Sequence, residues 1–102
     1  MVVKSPRVLH DDATAPGDGV VVNNPEYKHA TLRFDEATLE VRTTSGTPTF
    51  SIQPRQSIDG VSWNDVGGAI SAVGVTNLTV RMPFFKAELV SVSGGGVTVT
   101  VA

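Results

Sequence analysis

The sequence predicts an all-β fold: a single antiparallel β-sandwich or jelly roll with an extended N-terminal arm. Three observations predict it. From residue 30 onward, apolar and polar side chains alternate with a period of two, the signature of strands with one buried face. Clusters of Gly, Pro and Asp interrupt these runs at short intervals. No window carries the i, i+3, i+4, i+7 apolar stripe of an amphipathic helix.

The elements follow in order. Residues 1–29 read as an arm, because Asp11-Asp12, Pro16-Gly17-Asp18-Gly19 and Asn23-Asn24-Pro25 break the pattern every few positions. Only Arg7-Val8-Leu9-His10 and Val20-Val21-Val22 suit short edge strands there. So little apolar surface does not offset an ordering cost of about 1–2 kcal/mol per residue, so the arm needs the domain or a neighbour to pack on. Residues 30–102 are the expected sandwich core. Asp35-Glu36-Ala37 reads as a tight connection. In Thr38-Leu39-Glu40-Val41-Arg42-Thr43, Leu39 and Val41 share one face while Glu40 and Arg42 share the other. Phe50-Ser51-Ile52-Gln53 repeats the alternation up to Pro54, which marks an edge or strand end. Residues 75–81 and 85–92 are longer β-branched and aromatic runs, and Val97-Thr98-Val99-Thr100-Val101 is a pure period-two strand. Between them, Ser45-Gly46-Thr47-Pro48, Asp59-Gly60, Gly67-Gly68, Gly74 and Gly94-Gly95-Gly96 are expected to turn the chain.

Composition narrows the function. A length of 102 residues corresponds to one domain. Hydrophobic residues make up 40% and charged residues 18%, too apolar for a disordered tail and low in charge for a fully solvated surface. A partner covering part of that surface is the expectation. Net charge is −2, and Arg33, Arg42, Arg55, Arg81 and Lys86 occur singly within expected strands, as solvated outer-face positions rather than a basic stripe. Nucleic acid is therefore not an expected partner. No stretch approaches the roughly 20 apolar residues of a membrane-spanning helix, so no membrane partner is expected. Residues 1–6 lack an apolar run of signal-peptide length, which predicts folding in a cytoplasm.

The catalytic inventory is short. With no cysteine there is no disulfide, thiolate metal site or cysteine nucleophile. The two histidines are His10 and His29, and the one tyrosine is Tyr27. His10 lies beside Asp11 and Asp12, but without a nucleophile-elbow sequence it reads as a surface histidine at a strand end. His10, Asp11, Asp12 and Asp18 show no regular calcium-ligand spacing. Gly94-Gly95-Gly96 leads into a strand rather than a helix N-terminus, so it reads as a hairpin turn and not a phosphate cradle. Asn77-Leu78-Thr79, a glycosylation pattern, lies inside an expected strand. The expectation is a chain with no catalytic residues, no cofactor and no metal.

The most informative stretch is residues 50–66. Asp59-Gly60 is a strong hairpin signal, since both residues tolerate left-handed backbone angles. The flanking strands are expected to end at Ile52 and resume at Trp63, the only tryptophan, which covers one end of the core. Asp59, Gly60 and Trp63 are thus structural hairpin residues. Ser57-x-Asp59-Gly60-x-Ser62-Trp63 resembles the Asp-box of sialidase-like propellers, but it is one residue short and occurs once, which excludes a propeller.

Together with Pro83-Phe84-Phe85-Lys86-Ala87-Glu88-Leu89 and the glycine run before the terminal Val-Thr-Val-Thr strand, the hairpin resembles small β-sandwich virion proteins of tailed bacteriophages. The resemblance covers about the C-terminal half of the chain. It implies a non-enzymatic virion protein assembled in the host cytoplasm, foremost a capsid decoration (cement) protein that clamps neighbouring capsid subunits. The implied partners are the major capsid protein or other virion proteins, and copies of itself, with a trimer favoured. The alternative is a receptor- or glycan-binding module, or another small tail- or neck-associated protein.

Overall fold

The computed structural model describes residues 7–23 and 36–102, with only the backbone described for Asn23 and Glu36. Residues 1–6 and the sequence candidates Tyr27, His29, Arg33 and Asp35 lie outside the described residues. Among the described residues six strands follow in chain order: β1 (Arg7–Ala13), β2 (Val22–Asn23), β3 (Glu36–Ser57), β4 (Asn64–Asp65), β5 (Gly74–Thr79) and β6 (Phe84–Val101). All pairs are antiparallel, and the described residues contain no helix. None is therefore long and apolar enough to cross a membrane.

Two long strands organise the sheet. β3 has 22 residues and β6 has 18, and they pair from Leu39 opposite Val101 to Ser57 opposite Phe84. Half of this ribbon is flanked by β5 on β3 and β1 on β6. The other half is flanked by β4 on β3 and β2 on β6. Alternation follows the sequence expectation: Leu39 and Val41 are buried, and Glu40 and Arg42 are exposed. Leu39, Val41, Val97 and Val99 from one half join Phe50, Ile52, Phe85 and Leu89 from the other in one core cluster. Both halves thus turn an apolar face to a shared interior, as the two layers of a β-sandwich do.

The junction between the halves corrects the expected turns. Ser45-Gly46-Thr47-Pro48 and Gly94-Gly95-Gly96 do not close hairpins. Thr43 and Thr49, either side of the first, pair with Val97 and Ser93 of β6 rather than with each other. Ser45 stands opposite Gly96 and Gly46 opposite Gly95, so the two turn signals meet and bend one continuous ribbon. Register shifts on either side of this contact mark the bulges that make the bend. Glycine is required there. Gly46 has φ +64°, and a β-carbon at Gly95 collides with the carbonyl oxygen of Ser45.

Pro54 and Ile52 are also corrected. β3 runs past both to Ser57, with Pro54 opposite Ala87. The Pro54 carbonyl accepts from Val66 N–H at 2.9 Å, so this residue's polar edge faces away from β6. Its missing N–H therefore removes nothing from the central ladder. The chain resumes pairing at Asn64, one residue after Trp63.

Within the segment expected as an arm, β1 and β2 are edge strands of the sheet, and Leu9 and Val22 lie in the core. His10 departs from its expected surface position: it is buried, with Nε2 2.6 Å from the carbonyl oxygen of Ala87. The cause is a gap in the outer edge of β6. Gly17 bonds to Leu89 and β2 pairs with Phe85, which leaves the carbonyl of Ala87 between them without a strand partner among the described residues. A carbonyl only accepts, so His10 donates from Nε2 and closes the gap.

Candidate functional site

The polar side chains with the densest contacts lie on the outer face of the β4–β3–β6–β2 half, around the β3–β4 hairpin. Phe85 and Ala87 point into the core, so the alternation of β6 sends Lys86 and Glu88 to the opposite face. Arg55 stands directly opposite Lys86. Its guanidinium donates from Nε to Glu88 at 2.8 Å and from Nη1 to Asp65 at 2.7 Å, bridging β6 and β4.

Lys86 is the unexpected member. A solvated position is the sequence expectation, yet the side chain is only 8% exposed. Its ammonium lies 3.0 Å from Asp18 Oδ1 and 4.4 Å from the centroid of the Trp63 ring. A buried ammonium is tolerable only when paired, and here a carboxylate and an aromatic face supply the pairing. Trp63 is half-buried, with one ring face committed to Lys86. No local signal announces this site, because Asp18 reaches it from the β1–β2 connection, far away in sequence.

Asp59 and Gly60 build the loop above it. Ser57 Oγ donates to Asp59 Oδ1 at 3.0 Å and accepts from Gly60 N–H at 2.8 Å. Asp59 Oδ1 also accepts from Val61 N–H at 2.8 Å and Ser62 N–H at 3.0 Å. The backbone N–H groups of Ser62 and Val61, followed by the Ser57 hydroxyl, hold the Asp59 carboxyl below the ordinary carboxylate range. Gly60 takes φ +79° and lies against the Phe84 ring. The loop so fixed presents Ile58, 71% exposed, and Val61, 79% exposed, to solvent.

Asp12 forms a separate node at the ribbon bend. It is a non-glycine residue at positive φ, and its Oδ1 accepts from Thr44 Oγ1 at 2.7 Å and Ser45 Oγ at 2.9 Å. Those two hydroxyls, Thr44 foremost, hold its carboxyl low. His10, Asp12 and Asp18 therefore serve three different contacts. Among the described residues no three His, Cys, Asp or Glu side chains are grouped to hold a metal ion. The Ser57 hydroxyl is engaged in the loop and the His10 Nε2 is bonded to Ala87. This chemistry locks a loop and a face in place.

Fold and site together define an all-β protein whose bent antiparallel sheet carries a rigid, apolar-tipped hairpin over a paired lysine. In the comparisons with known proteins, no family model and no curated protein matches the chain. Among solved structures it is similar to the SPBc2 prophage-derived protein YomS. The similarity has a TM-score of 0.65 at 15% identity and covers 99% of this chain and 96% of that one. The shared property is the fold, end to end.

Proposed function

We propose that the chain is a non-enzymatic structural protein of a tailed-phage particle, and that it acts as a head decoration protein clamping neighbouring capsid subunits. The observation that carries the phage reading is the end-to-end fold shared with a prophage-derived protein, at nearly equal length. The rigid hairpin supports a docking role. Ile58 and Val61 are held outward by hydrogen bonds already made, so binding through them costs little further ordering. Many copies engaging a repeating lattice convert weak single contacts into stable attachment. Trp63, the aromatic platform that a glycan-binding reading needs, has Lys86 over its ring.

The test is co-sedimentation of the purified chain with tailed-phage heads lacking it, and separately with isolated tails. Saturable binding to heads at a lattice stoichiometry is the expected result. Binding to tails alone overturns the decoration role, and a chain left in the supernatant with both overturns the virion reading.

A further inference from the structure

The two outer edges of the first sheet half differ in how they are protected. β1, on one edge, shifts register twice against β6, places Asp12 at positive φ and carries Arg7, Asp11 and Asp12. Bulges and charges of this kind keep an edge from pairing with another chain. β5, on the opposite edge, shows neither register shifts nor charges, and its one positive-φ residue is Gly74, at the strand's end. It pairs with β3 in unbroken register from Glu36–Thr79 to Val41–Gly74, and its sequence, GVTNLT, contains neither charge nor proline.

The backbone groups left over on β5 can be assigned. Thr38 exchanges both backbone hydrogen bonds with Ala102, so Thr38 and Glu40 face β6 while Ala37, Leu39 and Val41 face β5. Their partners Leu78, Thr76 and Gly74 are thereby engaged. Alternation leaves the N–H and C=O groups of Val75, Asn77 and Thr79 pointing away from β3. Among the described residues no strand pairs with that side. Val75 is 63% and Val73 57% exposed, and a shallow depression of about 440 Å³ lined by residues 68–76 adjoins them.

We infer that this edge pairs with β5 of a second copy of the chain across a two-fold axis. Centred on Asn77, the pairing sets Val75 opposite Thr79 of the second copy and exchanges backbone bonds at 75–79, 77–77 and 79–75. A strand with no charge meets itself without repulsion, which is the complementarity a self-pairing edge needs. Each Val75 loses water contact in the process. The inference stands apart from the virion reading, because it concerns the purified chain alone. It also specifies a pair, where the family resemblance implies a trimer.

Light scattering coupled to gel filtration over a concentration series tests it, on the wild type and two double variants. Val75→Lys with Thr79→Lys places like charges opposite one another. Val75→Lys with Thr79→Glu places opposite charges in the same positions. The wild type and the Lys/Glu variant are expected at twice the chain mass, and the Lys/Lys variant at the single-chain mass with its far-ultraviolet spectrum retained. A wild type that stays at one chain mass, a threefold mass that the Lys/Lys change leaves intact, or identical masses for both variants overturns the pairing. Failure of the chain to bind phage heads leaves it untouched.

Discussion

The His10 ring takes the place of a strand at the outer edge of β6, with Nε2 2.6 Å from the carbonyl oxygen of Ala87. The contact joins β1, on one half of the bent sheet, to the other half, 77 positions along the chain. His10→Phe keeps a ring in the space but removes the donor. A buried carbonyl left unpaired costs about 1–3 kcal/mol, so this variant is expected to lose that much stability. Urea denaturation measures it. Hydrogen exchange adds a local readout: amides around Val22 and Gly17, on either side of the gap, are expected to lose protection first.

The ribbon bend gives a prediction with an internal control. At Gly95 a β-carbon meets the Ser45 carbonyl, a backbone atom that moves only if the bend opens. Gly95→Ala is therefore expected to destabilise by about 1–3 kcal/mol, the usual range for forced overpacking. A β-carbon at Gly68 meets nothing within 4 Å, and Gly68 is not among the residues at positive φ. Gly68→Ala is expected to leave stability within about 1 kcal/mol of the wild type. Thermal melts of the two variants side by side separate a tight bend from a general intolerance of added methyl groups.

Both sites lie beyond what local sequence encodes, unlike the strands around them. Alternation in residues 38–43 and 97–101 marks the strands, and in 38–43 the buried face as well, because a side chain's face depends only on its neighbours along the chain. Thr98, on the polar face of the last strand, is buried too. Whether Ser45-Gly46 and Gly94-Gly95-Gly96 were two hairpins or one bend depended on pairing across some 50 positions, which local turn chemistry does not encode. The same holds at the candidate site. Of the Asp59-Gly60 pair only Gly60 takes a left-handed angle, and Asp59 acts through its side chain, which accepts from Val61 and Ser62 N–H. The burial of Lys86 was not legible locally, because it requires Asp18 from the β1–β2 connection. The burial of His10 has no local signal for a related reason, since its partner is a backbone group that leaves no mark in the sequence.

Asp59 makes the hairpin sensitive to acid. Its folded carboxyl sits below the ordinary range because Ser62, Val61 and Ser57 bond the charged form. The unfolded state therefore binds the proton more readily than the folded state. The stabilisation from Asp59 is fully present above the ordinary carboxylate pKa and is lost as pH falls through the lowered folded value. Asp12 shifts in the same direction and adds to the same acidic window. Asp59→Asn is expected to melt below the wild type at neutral pH, with the difference narrowing as pH falls into that window. Melting temperatures of both proteins from neutral to strongly acidic pH check it, and a difference that stays constant with pH contradicts the assignment.

Lys86 and Trp63 offer the sharpest probe of the outer face. The ammonium is shielded from water and lies 4.4 Å from the ring centroid, a geometry in which a cation–π contact contributes about 0.5–2 kcal/mol. Single substitutions do not isolate it, since Trp63→Leu also removes packing and Lys86→Met also removes the Asp18 pair. A double-mutant cycle does, because lost packing and the lost carboxylate pair appear in the single variants and cancel in the coupling term. A favourable coupling of about 1 kcal/mol is expected from urea denaturation of the four proteins. Asp18→Asn supplies a further comparison. It leaves the ammonium in place with only the ring and a neutral amide, so it is expected to destabilise more than Lys86→Met, which removes the charge that needs a partner. The opposite order means that the lysine is reached by water and that Trp63 does not enclose it.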